Sequence, residues 1–484
     1  IYNKVMLYKS QIFSGLLLIY LLTITCSSFI GVSIRPVFLI PLFILLVFFW
    51  QIKIVRFGLM AALVVGAAFL QANSSSALED SNIRADFRGI VVAEPTFGGN
   101  RQYIIVEGDN VRVQANTARY PEYSIGEELL LTGNFILAEQ DPYYQKNKGY
   151  FLVNNIKYTV LEPNIQKIAP SSENYFVHRW YRLRRWLVSF RKRYEEILLQ
   201  SLPQPYVGLS IGILLGGKNY MNEDLYNLFI AIGIVHIMAL SGYNITIICK
   251  SLEKITKKRS IIFSRYGALI GIWAFVAATG FSSSVVRAAL MGSTLLLARM
   301  VGRQSDSFVA ILLAASIMVG LNPYILRYDI GFQLSFVAMA GMIFLAPKLE
   351  PFFASLGKIF SEIFSTTIAA QIFTLPLLSF HFGRISWVAI IANVLILPLV
   401  PACMALTFIV GSVGFASVWL AQKVGFLLWL LLGYVVKISE IIGSIPSIDI
   451  QYQMSWPLLL GLYLVMVELI LLINLRSIRE NEEN

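Results

Sequence analysis

The chain runs without a charge from Ile12 to Ile30 and again from Phe57 to Leu70, and Trp456 to Ile473 is interrupted by Glu468 alone. A bilayer core takes about 20 apolar residues per helix, whereas a helix on a soluble surface keeps a polar face. Windows of this kind have to cross a membrane. Composition agrees: 57% of residues are apolar and only 14% charged, against roughly a quarter charged in soluble domains. The mean hydropathy is +0.67. A large soluble all-α enzyme is excluded on these grounds. The first window is not expected to be a cleaved leader, because no small-residue cleavage site follows it and two more apolar segments come at once. Cys26, Cys249 and Cys403 all lie in apolar segments without metal-ligand spacing, so no disulfide framework is expected.

The net charge of +11 is unevenly spread, and its distribution predicts orientation. Three spans are expected at about 12–31, 37–52 and 57–71. Lys4, Lys9, Lys53 and Arg56 flank them on one side and Arg35 alone on the other. This places the N-terminus in the cytoplasm and the chain after Gln71 outside. The span expected at 232–249 then runs inward, and Lys250, Lys254, Lys257, Lys258 and Arg259 follow it, in agreement. Further apolar segments near 261–280, 285–302, 306–322, 331–347, 364–380, 386–412, 418–436 and 457–475 bring the total to about twelve transmembrane helices, with both termini cytoplasmic. Pro398 and Pro401 leave a re-entrant loop open as the alternative for 386–412.

Residues 73–168 have a different character. Short runs rich in Val, Ile and Tyr ("RADFRGIVVAEP", "RQYIIVEG", "NVRVQAN", "EELLLTGNFILAE", "GYFLVNNIKYTVLE") are separated by turn residues. They predict five strands, fitting an OB-like β-barrel, with a β-sandwich as the alternative. Residues 172–202 follow as a basic amphipathic helix. Trp180, Leu183, Trp186, Leu187, Phe190 and Tyr194 recur at helical spacing among seven Lys/Arg between Arg179 and Arg193. Such a helix either lies in the headgroups or uses its charge outside the cell.

Signatures of hydrolytic chemistry are missing: there is no H-E-x-x-H, no G-x-S-x-G, and the only histidines are His178, His236 and His381. Gly212 to Lys218 imitates a P-loop, but Asn219 follows where a magnesium-binding hydroxyl is needed, and the preceding run reads as a helix. Neither a metal, nor another cofactor, nor enzymatic activity is expected. Polar groups inside apolar segments are the informative feature, since at membrane depth they face a cavity or a partner. His236, Ser241, Gly242 and Asn244 fall in "GIVHIMALSGYNITII", and Arg287 follows three serines in "GFSSSVVRAALMG". Asp329 and Gln333 fall in "RYDIGFQLSF", and Pro376, His381, Asn393, Pro398 and Pro401 in a Pro-broken stretch. Helices interrupted in this way suit a polar conduit; plain helix–helix glue is the alternative. Asp329 is also an acidic candidate to neutralise Arg287.

"YVGLSIGILLGGKN", "GIVHIMALSGYNITII", "SVVRAALMG", "NPYILRYDIGFQLSF", "TLPLLSFHFG" and "ANVLILPLVP" follow one another in that order between Tyr206 and about Phe415. In sequence and order these blocks resemble the ComEC family of competence proteins. The resemblance extends to 12–165, as membrane segment plus external OB domain. It implies domains at 1–72 (membrane helices), 73–168 (OB-like), 172–202 (interfacial helix), 203–476 (competence channel) and 477–484 (cytoplasmic tail). It also implies import of single-stranded DNA through the plasma membrane, with a transporter or flippase of another anionic polymer as the competing class. Expected partners are the lipid bilayer, an extracytoplasmic DNA receptor and a cytoplasmic ATPase or helicase. A separate nuclease is expected too, since no stretch resembles the metallo-β-lactamase-like domain of many relatives. His236, Ser241, Gly242, Asn244, Arg287, Asp329, Gln333 and Asn393 would line the channel. Arg179, Trp180, Arg182, Arg185, Trp186 and Arg193 would meet DNA. Asn244 stands where the family usually has a second histidine, which removes a titrating group there.

Overall fold

The computed structural model describes residues 86–109, 111–169, 175–217, 220–238, 245, 261–302, 307–445 and 449–482. The expected spans at 12–31, 37–52 and 57–71 lie outside the described residues, as do Ser241, Gly242 and Asn244. The chain divides into two compact units. Of the described residues, one unit holds those up to Arg191 with Trp273–Ser282 and those of Ser293–Asp329; the other holds those of Lys192–Ile272, Ser283–Gly292 and those from Ile330 onward.

The first unit is built on eight strands: β1 (Asp86–Val91), β2 (Thr96–Gly98), β3 (Arg101–Gly108), β4 (Val111–Ala118), β5 (Glu128–Thr132), β6 (Phe135–Leu137), β7 (Ile156–Leu161) and β8 (Asn164–Lys167). Alternation of apolar and polar residues sends Phe87, Val91, Ile104, Val106, Val113, Leu129, Leu131 and Val160 into one core. The strand path is β6-β7-β4-β3-β1-β5-β8, with β2 added on β3, and β4 and β7 are the parallel pair. The segment from Glu128 to Leu137 holds both β5, on β1, and β6, on β7, so one stretch of chain meets both ends of the path. Where β1 crosses β3 there is no room for a Cβ at Gly89 or Gly108, each of which abuts the other strand's backbone. Only glycine permits that close approach.

Five expected strands become eight, and one stretch changes type. Gly149 to Val153, read as the start of a strand, closes helix α1 (Tyr144–Val153). Tyr144 and Phe151 pack there against Ile105, so β3 is buried on both faces. This tertiary contact overrides the local β propensity of "GYFLV".

Helix α2 (Tyr175–Ser201) appears where the basic amphipathic helix was expected. The other described residues are mostly helical: α3 (Tyr206–Leu215), α4 (Glu223–Ala231), α5 (Ile261–Ala278), α6 (Ser283–Met300), α7 (Ser307–Leu321), α8 (Tyr324–Tyr328), α9 (Ile330–Phe344), α10 (Ala346–Leu349), α11 (Lys358–Phe382), α12 (Ala389–Ile396), α13 (Val400–Gly414), α14 (Val418–Gly443) and α15 (Trp456–Glu482), with β9 (Arg384–Ser386) and β10 (Asp449–Gln451) paired as a separate antiparallel ribbon. Among the described residues three helices are long and apolar enough to cross a membrane: Phe360–Phe382, Ala389–Gly414 and Val418–Gly443. A fourth span is formed if Ile330–Phe344 and Ala346–Leu356, bent by 41°, count as one. Tyr206–Leu215, Ser264–Ala278, Ser307–Leu321 and Trp456–Ile470 are shorter apolar helices. The protein is a mostly helical membrane protein with a small β region.

The second unit gathers Leu198, Leu209, Phe229, Ile234, Ile396, Cys403, Leu428 and Leu432 into its core. Tyr194 reaches into it and donates its hydroxyl to the carbonyls of Thr407 (3.0 Å) and Phe408 (2.8 Å). Gly411 leaves the space for that ring.

Two expectations about helix breaks need correction. Pro376 does not break α11, which continues through it to Phe382. Pro398 does coincide with a 3₁₀ turn, Leu397–Leu399, between α12 and α13. The start of the segment expected to span 232–249 is not helical. Gly233, at φ 75°, ends the run of α4, and Val235–Ile237 form a single 3₁₀ turn.

Candidate functional site

The polar residues of the membrane segments fall into two groups in the second unit. In the first, α9 carries Gln333 and Phe336 three residues apart, hence on one helix face. Gln333 Oε1 meets His381 Nε2 of α11 at 2.8 Å. Phe336 lies under the Arg287 guanidinium of α6, 5.7 Å from the ring centre, and packs at a tilt against Phe332, ring centres 4.3 Å apart. Arg287 is 5% exposed and donates from Nη2 to Ser284 Oγ at 3.1 Å. A guanidinium over an aromatic face keeps its charge partly stabilised in apolar surroundings. Three helices thus bring a cation, an amide and an imidazole to one face of α9.

The second group surrounds Gly233. A Cβ there would collide with Ala389, so the turn bearing His236 lies directly on the start of α12. His236 is exposed on this turn. Asn393, one helical turn beyond Ala389, is 3% exposed, and its Oδ1 has no partner among the described residues. A lone buried acceptor of this kind costs about 1–3 kcal/mol unless water or a ligand reaches it. Asp329 belongs to the first unit, where it caps α8 and is half-buried. Of the expected lining residues, Arg287 and Gln333 share one cluster, while His236 and Asn393 sit on packed neighbouring elements. His381 completes the first cluster, and only its place in a polar interruption marked it in the sequence.

Helix α2 divides its cations between two tasks. Arg184 donates to Val92 O at 2.7 Å with its guanidinium over Phe281 at 5.3 Å. Burial pulls its pKa below the usual arginine value, against the raising influence of Tyr181 and Glu94. Arg191 pairs with Glu94 at 2.6 Å and donates to Ala278 O at 3.1 Å. Arg185 donates Nε to Ile125 O at 2.9 Å. These three tie α2 to the β domain, and Trp180 packs on Phe281. Arg185, expected among the DNA contacts, therefore has a structural duty. Arg179, Arg182, Lys192 and Arg193 remain exposed, around an outward stripe of Leu183, Trp186 and Phe190. A second tie holds α1 of the β domain: Asn322 donates Nδ2 to Val153 O at 2.7 Å, and Gly149 of α1 abuts Tyr328 of α8.

The family described as "Competence protein" matches residues 213–477, more than half of the chain. The chain belongs to that family. Both polar groups of the second unit lie inside the matched region. ComE operon protein 3 of Bacillus subtilis (strain 168) is 26% identical over 408 residues, which cover 80% of this chain and 50% of that protein. The chain thus spans about half the length of this curated relative. No solved structure matches it. Among the described residues no group of His, Cys, Asp and Glu could hold a metal ion.

Proposed function

We propose that this protein is a plasma-membrane conduit that passes single-stranded DNA into the cytoplasm during natural transformation. The observation that carries this reading is the Arg287–Phe336–Gln333–His381 cluster, gathered from α6, α9 and α11 inside the competence region. A guanidinium, an amide and an imidazole gathered among apolar helices form a polar, cationic surface that suits an anionic cargo. A phosphate backbone is such a cargo. The exposed Arg179, Arg182 and Arg193 beside Trp180 and Trp186 supply the charge and aromatic surface that a nucleic acid needs before it enters. Arg185 contributes only the N–H groups that Ile125 leaves free.

In this reading the β domain is an OB fold outside the cell. Its support is the strand path, with β1-β3-β4 followed by the parallel β4–β7 pair and a bent fifth strand, Glu128–Leu137, that closes the sheet on β1. About twelve spans carry the chain, with both termini cytoplasmic. The protein performs no bond chemistry and needs no cofactor. A receptor outside, an ATPase or helicase inside and a separate nuclease complete the pathway. The decisive experiment deletes the protein from a transformable cell and follows labelled DNA. Loss of internalised strand with surface-bound duplex retained supports the conduit. Unchanged internalisation, or loss of an unrelated anionic polymer from the surface, refutes it. Cysteines at Asn110 and Lys257 test topology: in intact cells the first should label from outside and the second should not.

A further inference from the structure

The β domain is not a basic field: from Asp80 to Lys167 it has nine Lys/Arg against eleven Asp/Glu. Several of those cations are already paired, Arg88 with Glu128, Arg101 with Glu162, Arg112 with Glu107 and Lys167 with Glu127. Arg119 is different. It is exposed, makes no ion pair among the described residues, and lies near two aromatic rings, 5.6 Å from the centre of Phe97 and 6.0 Å from that of Tyr120. Those rings are themselves 49% and 70% exposed. One exposed ring on a protein surface needs no explanation, but two exposed rings beside one arginine form a surface that stacks and attracts anions together.

The arrangement is held from below by one residue. Gln102, 0% exposed, pairs across the ladder with Phe97 and donates Nε2 to Ala118 O at 2.8 Å and Pro121 O at 2.6 Å. Its backbone fixes the strand carrying Phe97, and its amide fixes both ends of the turn carrying Arg119 and Tyr120. The backbone N–H of Arg119 also donates to Asn100 O at 3.2 Å, closing the turn on the β2–β3 hairpin. Beside it opens a cleft of about 480 Å³ lined by Asn100, Arg101, Thr117, Ala118, Glu162 and Pro163. Glu162 neutralises Arg101 in that cleft, so Arg119 is the site's net cation.

We infer that Phe97, Tyr120 and Arg119 form a stacking site for single-stranded nucleic acid, bases lying on the two rings and one phosphate meeting Arg119. This deepens the DNA reading above and rests on it. Stacking tolerates every base, so the site grips a strand without selecting sequence. With one net cation its affinity depends only weakly on salt, unlike a basic groove.

The test uses the full chain in nanodiscs of neutral lipid and a fluorescent oligothymidylate. Phe97→Ala and Tyr120→Ala should each weaken binding by about fivefold to a hundredfold. Phe97→Tyr and Tyr120→Phe, which keep the rings, should bind as the parent does. Arg119→Gln should lower the salt slope by about 0.7. Glu162→Gln releases Arg101 and should tighten binding and raise the slope by a similar amount. Tyr143→Ala removes an equally exposed tyrosine at the start of α1 and should change nothing. Parental affinity in the Phe97→Ala/Tyr120→Ala double variant overturns the site. So does an equal loss of duplex binding, or rings that serve instead to attach a neighbouring protein. A deletion strain that still internalises DNA sinks the conduit reading itself. A deletion strain that fails to internalise DNA, with a double variant that binds like the parent, sinks this site alone.

Discussion

Two arginines on α2, two residues apart, should behave in opposite ways when removed. Arg191 is largely shielded, pairs with Glu94 at 2.6 Å and donates to Ala278 O at 3.1 Å, whereas Arg193 is exposed. A charge pair about 4 Å between centres at an effective dielectric near 20 attracts by about 4 kcal/mol, and desolvation of the two groups offsets part of it. A charge-assisted bond in such a setting retains a net ~1.5–3 kcal/mol. Arg191→Met therefore loosens the α2–β-domain tie by about that amount, since it also leaves the Glu94 carboxylate half-buried. Glu94→Leu should cost less, because Arg191 keeps the Ala278 carbonyl. The double variant should recover at least ~1 kcal/mol of the summed losses. Hydrogen exchange of β1 and β3 amides in the detergent-solubilised chain reads this directly, with exchange rising roughly tenfold or more in Arg191→Met. Arg193→Met should leave exchange unchanged and instead lower oligonucleotide affinity and its salt slope. Strict additivity of the Arg191 and Glu94 losses, or equal exchange effects from Arg191 and Arg193, would refute this division of labour.

Arg287→Leu should remain membrane-inserted and at least as resistant to thermal unfolding as the parent, yet fail in DNA uptake; loss of the protein from the membrane would make Arg287 a structural residue. Gln333→Leu removes the partner of His381 and should cost about 1–3 kcal/mol of unfolding free energy, reduced when His381 is replaced by Phe as well. Gly411→Val drives a side chain into the Tyr194 ring and should cost about 1–3 kcal/mol in thermal unfolding, with partial rescue by Tyr194→Ala. A neutral Gly411→Val would contradict the packing of α2 on α13.

The membrane class, the run of strands between Asp86 and Lys167 and the basic helix were legible in the sequence because each rests on local periodicity. Uncharged windows have only one solvent that suits them, and alternation every second residue in "RADFRGIV" already names the face that is buried. Local pattern also flagged Arg287, Gln333 and His381, since a polar residue in an apolar run is conspicuous by itself. It does not say which of them meet. That pairing depends on α9 lying between α6 and α11, a non-local fact fixed by side-chain packing. The same limit hid the α-helical state of Gly149 to Val153, where burial of Phe151 against Ile105 outweighs β propensity. It also hid the roles of the α2 arginines, because Arg184, Arg185 and Arg191 look like their exposed neighbours until the β-domain carbonyls and Glu94 are brought beside them. Charge and hydropathy follow from composition along the chain. The partner of each charge, and hence whether it stays available to a ligand, follows only from tertiary contacts between residues tens of positions apart.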